Sequence, residues 1–329
     1  AASDVYKRQA VGGGTPLILD EGQLEELFCL AELFGVHPSR VFTSVETSPE
    51  YTQKSVLRQL RARGVERLSM GVQSFNETEL KKLKRRPGLG TVVGALENIV
   101  EAGFPQFNLD LIYGIEGQTV ESFMRSLNTA LTYRPNELFI YPLYVRPGTR
   151  IDVRSTDDIG YAIYKSAREL LVGQGFVQTS MRRFVRRETT ETEFSCGDEV
   201  MLSCGAGGRS YLGNLHYATP YAVRQQTIAD EIDHYIRTTD FMTAANGFLL
   251  STEEMQIRFI IKNLMYHRGV DLAEYEKRFG EKPDRNLFRE FTDRGWIEET
   301  GRIVRLTEEG MASVSYTHLR AHETEADLV

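Results

Sequence analysis

Cysteine is scarce in this 329-residue chain, which has three: Cys29, Cys196 and Cys204. Three widely spaced thiols build no disulfide framework, and they fit a reducing cytoplasm as the expected location. No apolar run reaches the roughly 20 residues that a membrane-spanning helix needs, and no secretory leader is visible. Excess positive charge is also missing. The net charge is −7, which removes the usual electrostatic case for nucleic acid or an anionic membrane surface as partner. Nothing recurs at a fixed period, so a solenoid is excluded. The chain does have 41% hydrophobic and 10% aromatic residues, enough to bury one or two cores.

Both ends read as foreign. Asp4-Val5-Tyr6-Lys7-Arg8-Gln9 is what the codons gat gtg tat aag aga cag encode, a transposon end used in sequencing libraries. Val314-Ser315-Tyr316-Thr317-His318-Leu319 is the opposite strand of that end in a shifted frame. Residues 1–9 and 314–329 are therefore expected to be adapter-derived tails and are set apart from fold reasoning. Directly after the first tail comes Gly12-Gly13-Gly14-Thr15-Pro16. Three glycines remove every Cβ, so the backbone can approach a ligand closely and visit positive φ without strain, and Pro16 fixes the exit. A plain strand-to-helix turn has the same composition. The residues downstream have to decide between the two.

Those residues alternate between two periods. Strand-like runs at 41–46, 67–73, 107–113 and 138–144 are separated by helical spacing at 21–34, 52–63, 76–84, 91–102, 119–133 and 159–174. Strands at intervals of about thirty residues with helices between them predict an α/β fold with a parallel sheet built from βα units. The ends of the strands then carry polar residues: Glu46 closes the first and Gln73 the second, Asp110 lies late in the third, and Tyr144 closes the fourth. In a barrel of βα units such ends converge on one rim, where ligands bind. Carboxylates there suit ribose hydroxyls or an amino group. Spacing alone fits a nucleotide or a sugar phosphate equally well.

The motifs GGGTP, VETSPE, RLSMGVQSFNETELKKLKR, NLDLIYGIEGQT and YPLYVRPGT occur in this order. Together they resemble the radical S-adenosylmethionine enzymes of the oxygen-independent coproporphyrinogen III oxidase type, a group that includes haem-chaperone relatives. The resemblance covers residues 11–149 strongly and the chain to 311 more loosely. It implies a partial (β/α) barrel, S-adenosylmethionine as cofactor, and a [4Fe-4S] cluster held by a CxxxCxxC loop that is expected upstream of Val11. By the same resemblance Gly13, Gly14 and Thr15 hold the methionine amino end of S-adenosylmethionine, and Glu46 binds the same molecule. Gln73, Arg85 and Asp110 match positions that contact a second one. Tyr144 stands at a backbone contact, and Arg209 lies near the first cofactor molecule. The resemblance further implies a 5′-deoxyadenosyl radical, a small-molecule substrate of the tetrapyrrole kind, and an electron donor such as flavodoxin or ferredoxin. Cys196 and Cys204 have the wrong spacing for the cluster, so packing or a minor role is expected of them, and packing of Cys29.

Beyond residue 149 the pattern thins. Tyr211 and His216 could face a substrate, although a lone histidine is more often structural. The Arg182, Arg183, Arg186 and Arg187 group could pair with propionates, or simply form a solvated face. The region 252–267, 272–279 and 285–294 reads as three helices, and 296–306 as a hairpin, giving a small C-terminal α+β winged-helix-like domain. Asp284, Glu290 and Asp293 make its third helix a poor phosphate-facing element. The expected layout is a partial barrel with its covering segment at 10–240 and the small domain at 241–313. The expected activity is a radical oxidoreductase with oxidative decarboxylation as the reference reaction; the alternative is a haem-binding chaperone of the same fold.

Overall fold

The computed structural model describes residues 8–85, 87–144, 157–186, 200–219, 225–241, 243 and 246–314. The 145–149 segment, Arg187 and the 194–199 run with Cys196 lie outside them. The chain divides into two compact units, one made of 1–144, 153–178 and 182–189, the other of 145–152, 179–181 and 190–329.

In the first unit, strands β1 (Arg8–Val11), β2 (Phe42–Thr47), β3 (Arg67–Gln73), β4 (Gln106–Tyr113) and β5 (Glu137–Pro142) run parallel. Strand β6 (Phe176–Gln178) pairs antiparallel with β7 (Arg183–Arg186), which pairs antiparallel with β5, giving the order β1-β2-β3-β4-β5-β7-β6. The connections are helices α1 (Glu21–Glu32), α2 (Lys54–Arg63), α3 (Glu77–Lys82), α4 (Leu89–Ala102), α5 (Val120–Thr132) and α6 (Asp157–Gly173). This is the α/β class that the periodicity predicts.

Local chemistry explains the boundaries. Asp20 and Gln23 close a capping box at the start of α1, and Thr119 with Ser122 does so for α5. Gly64 ends α2 at φ 91, where an added Cβ would stand 2.9 Å from the Ser39 Cα. One expected boundary moves: β5 stops at Pro142 rather than at Tyr144, because its partner β4 ends at Tyr113, with Gly114 turning at φ 83, and the Leu143 amide makes the last ladder bond, to the Tyr113 carbonyl at 2.7 Å.

The sheet has two unlike faces because side chains alternate along a strand. Val45, Leu68, Met70, Leu109, Leu111, Leu138 and Ile140 are all buried. On the helices, Leu57, Leu60, Leu96, Ile99, Phe123 and Leu127 are buried as well. The alternate positions form the polar face described below. Two expected tail residues belong to this architecture, since Arg8 pairs with Phe42 and Gln9 with Thr43. Ladder hydrogen bonds use the main chain, so any residue that tolerates β geometry can extend the edge.

In the second unit, β8 (Arg209–Leu212), β9 (Leu215–Ala218) and β10 (Asn246–Leu249) form an antiparallel sheet, with α7 (Gln225–Arg237) between β9 and β10 in sequence. This stretch was expected to go with the barrel. It makes its own sheet instead and falls in the second unit. Next come α8 (Thr252–Leu264), β11 (Val270–Asp271), α9 (Leu272–Phe279), α10 (Arg289–Asp293) and the hairpin of β12 (Ile297–Thr300) and β13 (Ile303–Leu306). The expected third helix is mostly shorter: Arg285–Phe288 winds as a 3₁₀ turn capped by Asp284. Phe259, Tyr275, Phe288, Val304, Met311 and Val314 share the core. Val314, the first residue of the other expected tail, is thus a packed residue.

Gly310 lies against the backbone of Trp296, whose carbonyl oxygen would be 2.0 Å from an added Cβ. Gly310→Ala is expected to destabilise this unit by about 2 kcal/mol or more. Trp296 is the chain's single tryptophan, so its fluorescence during denaturant unfolding reads the effect; an unchanged midpoint would refute it.

Candidate functional site

Register places the polar residues of neighbouring strands side by side. Glu46 pairs with Ser69, Ser69 with Asn108, and Asn108 with Glu137. One step further toward the C-terminal ends, Gly71 pairs with Asp110 and Asp110 with Phe139, while Phe139 meets Arg183. Residues in register share a face, as do residues two apart along a strand. Glu46, Asn108, Asp110, Glu137 and Tyr141 therefore stand on one face.

The anchor of this face is Glu137. Its side chain is 1% exposed and receives Arg67 at 3.0 Å and Arg183 at 2.7 Å. Burial alone would raise its pKa, but the two guanidiniums outweigh burial and hold the carboxyl below its ordinary range. Arg67 also donates to Ser44 Oγ at 2.8 Å. Beside this trio, the Asn108 amide donates to Ser69 Oγ and Asp110 Oδ1, both at 2.7 Å. Asn108 Oδ1 is buried with no hydrogen-bond partner, a deficit that costs roughly 1–3 kcal/mol in a protein interior. Asp110 is pushed from 3.8 up to about 6, chiefly by burial, with the Asn108 bond and Arg67 opposing and Glu46 and Glu137 adding. Tyr141 is raised by burial and by Asp110.

The glycine turn meets this face through Gly12. A Cβ on Gly12 would stand 2.9 Å from Glu46 Oε2, so the carboxylate uses the space that glycine leaves. Gly13 and Gly14 follow at φ 85 and 86 with nothing within 4 Å of an added Cβ, open to whatever approaches. Thr15 then precedes the Pro16–Ile18 turn. Gln73 sits at φ 74 after a register shift in β3, with its Nε2 2.5 Å from where a Gly71 Cβ would be. Its backbone pairs with Leu111, and its side-chain amide reaches back over Gly71, the partner of Asp110.

The remaining expected residues are placed differently. Arg85 is exposed and lines a rim cleft of about 230 Å³ with Ser48, Glu50, Gly71 and Lys84. Tyr144 carries Arg182 over its ring at 5.2 Å and receives a hydrogen bond from it. Arg209 is exposed on β8, in the second unit. The arginine group is not a solvated face: Arg183 is 4% exposed and ion-paired, Arg182 also lies over Tyr141, and Arg186 lies over Phe176 while bonding the Pro135 carbonyl. Cys29 and Cys204 are exposed rather than packed. Cys29 turns toward Arg63 and Glu25 because α1 buries Leu24 and Phe28 on its other side. His216 is 6% exposed and packed edge-on against Tyr211 and Phe248, with its pKa lowered by burial, Arg258 and Lys262.

Sequence reasoning named Glu46, Gln73 and Asp110, had Gly12 only as part of the glycine turn and Arg183 only within the arginine group, and missed Arg67, Asn108 and Glu137. The missed signal was alternation: Arg67 and Ser69, Asn108 and Asp110, and Glu137 and Tyr141 put polar groups on the same face of adjacent strands. Among the described residues, no group of three His, Cys, Asp or Glu could hold a metal ion, and no helix is long and apolar enough to cross a membrane.

Residues 4–130 match the Radical SAM superfamily, and residues 250–312 match the HemN C-terminal domain. A curated relative, the heme chaperone HemW of Bacillus subtilis, is 27% identical over 91% of this chain and 81% of its own length. The oxygen-independent coproporphyrinogen III oxidase of Salmonella typhimurium is 35% identical over 82% of this chain, which spans 62% of that protein. The solved structure of coproporphyrinogen III oxidase (HemN) from Escherichia coli superposes with a TM-score of 0.74 at 22% identity, covering 94% of this chain and 78% of that one. This likeness establishes the fold.

Asp110 gives a pH test of the geometry. Its folded pKa lies above the ordinary value, so the native state holds the proton more tightly, and stability is lost as the pH rises through about 6. Asp110→Asn is therefore expected to stabilise the protein relative to wild type by up to about 3 kcal/mol more near pH 8 than near pH 4. Urea unfolding at the two pH values measures the difference; a pH-independent difference would count against the raised pKa.

Proposed function

Because the chain carries a radical SAM domain and a HemN C-terminal domain, we propose that the polar face of its parallel sheet binds S-adenosylmethionine. We further propose that the protein is a radical oxidoreductase of the coproporphyrinogen III oxidase type, acting on a tetrapyrrole-like carboxylated substrate. Radical SAM proteins use S-adenosylmethionine and a [4Fe-4S] cluster. The observation that carries the reading is the convergence of Glu46, with Gly12 against it, and Gln73 and Asp110 on one face near the C-terminal strand ends.

The residues fit the nucleoside cofactor. Glu46 and Asp110 are acceptors suited to ammonium or ribose hydroxyl donors, and the unpartnered Asn108 oxygen adds to an acceptor-rich surface. Gly13 and Gly14 let the main chain come close, with Thr15 at the exit of the turn. Arg85, at the rim, offers a counter-charge for a carboxylate. Arg209 is proposed to contribute from the second unit's sequence on the strength of resemblance alone. When bound, S-adenosylmethionine supplies hydrogen-atom abstraction through its 5′-deoxyadenosyl group, and the protein orients and shields it.

The cluster does not fit this chain's own residues. Its cysteines form no CxxxCxxC run, and the described residues hold no metal-ligating group.

The alternative reading, a haem chaperone without decarboxylation, is favoured by the similarity to HemW across 81% of that protein. A protein carrying this chain behind a three-cysteine loop, with the cluster rebuilt anaerobically, separates the two. Formation of 5′-deoxyadenosine and CO₂ from coproporphyrinogen supports the oxidase, and haem binding without turnover supports the chaperone. For the cofactor site, calorimetry with S-adenosylmethionine is the direct measurement. Gly12→Ala, whose methyl would press on Glu46 Oε2 at 2.9 Å, is expected to weaken binding by roughly tenfold, about 1.4 kcal/mol. Undiminished affinity would remove Glu46 from the site.

A further inference from the structure

The buried carboxylate of Glu79 has no part in the site described so far, yet it sits directly behind it. Glu79 is 4% exposed. Its Oε2 accepts from Ser74 Oγ at 2.6 Å and from Gln118 Nε2 at 2.9 Å, and its Oε1 accepts from Ser122 Oγ at 2.6 Å. These described partners are two hydroxyls and an amide, with no cation among them. A carboxylate buried on neutral donors is costly unless its acceptor sites are well filled. Only a carboxylate takes three or four donors at one point.

The donors belong to two rim connections. Ser74 follows Gln73, the last residue of β3. It is fully buried, and its hydroxyl accepts from the Asn76 amide at 2.9 Å while the Phe75 amide donates to Ser126 Oγ at 3.1 Å. Gln118 lies in the connection after β4, where its Oε1 accepts from the Gly114 amide at 2.8 Å. Ser122 is in the first turn of α5. Glu79 therefore joins the loop leaving β3 to the loop leaving β4.

Gln73 needs such support. It is not glycine, yet it stands at φ 74, a left-handed conformation that persists only where the surroundings impose it. Relaxing it to an ordinary strand angle would carry its side chain off Gly71, and hence off the row that holds Asp110. We infer that Glu79 is a positioning residue: its buried hydrogen bonds clamp Ser74, lock Gln73 in the left-handed conformation, and so aim the Gln73 amide at the cofactor site. This rests on the proposed reading of that site as one for S-adenosylmethionine. Glu79 touches no ligand itself and acts through Gln73.

The test is a double-mutant cycle read by calorimetry with S-adenosylmethionine, with thermal unfolding alongside. Glu79→Gln keeps the shape but replaces one acceptor with a donor, and is expected to weaken binding about fivefold. In a Gln73→Ala background the same change should cost less than about twofold, since the group being aimed is gone. Equal weakening in both backgrounds, or none in the first, overturns the inference. Ser122→Ala, which removes one donor only, should give a smaller effect of the same pattern and serves if Glu79→Gln fails to fold. A ligand-free readout separates this inference from the site reading: the Gln73 Cα and Cβ chemical shifts should leave left-handed values in the Glu79 variant. If wild type binds no S-adenosylmethionine, the site reading falls, and the shifts alone decide the clamp. Unchanged shifts overturn it.

Discussion

Glu137 between Arg67 and Arg183 is the interaction that lets one face of the sheet be polar at all. Each of these three charges, buried alone, would cost several kcal/mol in lost hydration. Held together at 2.7–3.0 Å, the carboxylate pairs with both guanidiniums, and Arg67 reaches on to Ser44. The trio spans β3, β5 and β7, so the same contacts that pair the charges also fix the spacing of strands on either side of β4. An apolar substitute could pack that space as well or better. It would not leave Asn108, Asp110 and Tyr141 in a field where a carboxyl hovers between its protonated and ionised forms.

Environment also separates the two remaining carboxylates. Asp110, on the central strand, is lifted to about 6 because burial outweighs its bond to Asn108. Glu46, near the edge of the parallel set, is exposed and stands against Gly12. One face thus offers an exposed carboxylate against the glycine turn and a proton-sensitive acid deeper in. A cationic nucleoside with hydroxyl and ammonium donors matches both, and a phosphate-bearing ligand would meet repulsion from both.

Much of the fold was legible in the sequence because the parallel strands carry runs such as RLSMGVQ and NLDLIY, and their helices carry clear apolar spacing. Three kinds of feature were not. Arg183 reads as one of a solvated group, since nothing in the local sequence announces that Glu137, 46 residues earlier, will face it across an antiparallel pair. Cys29 sits inside an apolar pattern, yet α1 buries only part of that pattern and the thiol faces out. The stretch at 209–218 falls within the range expected to hold the barrel and its covering segment, yet its partner β10 lies later in the chain and draws it into a separate sheet. In each case the deciding contact is long-range, and periodicity carries no information about partners.

The backbone at Gln73 shows how the motif RLSMGVQSF works as physics rather than as a pattern. Gly71 is needed because the Gln73 side chain folds back to within 2.5 Å of where a Cβ would be. Gln73 can fold back because its φ is positive and the β3–β4 register slips there by one residue. The slip is stable because Ser74 is buried and bonded on both sides, to Glu79 and to the Asn76 amide. Glycine, strain and serine are therefore one device for turning a polar amide from the end of a strand toward the Asp110 row. A strand that simply ended at Val72 would present its next side chain with ordinary alternation, and the amide would have no reason to lie over Gly71.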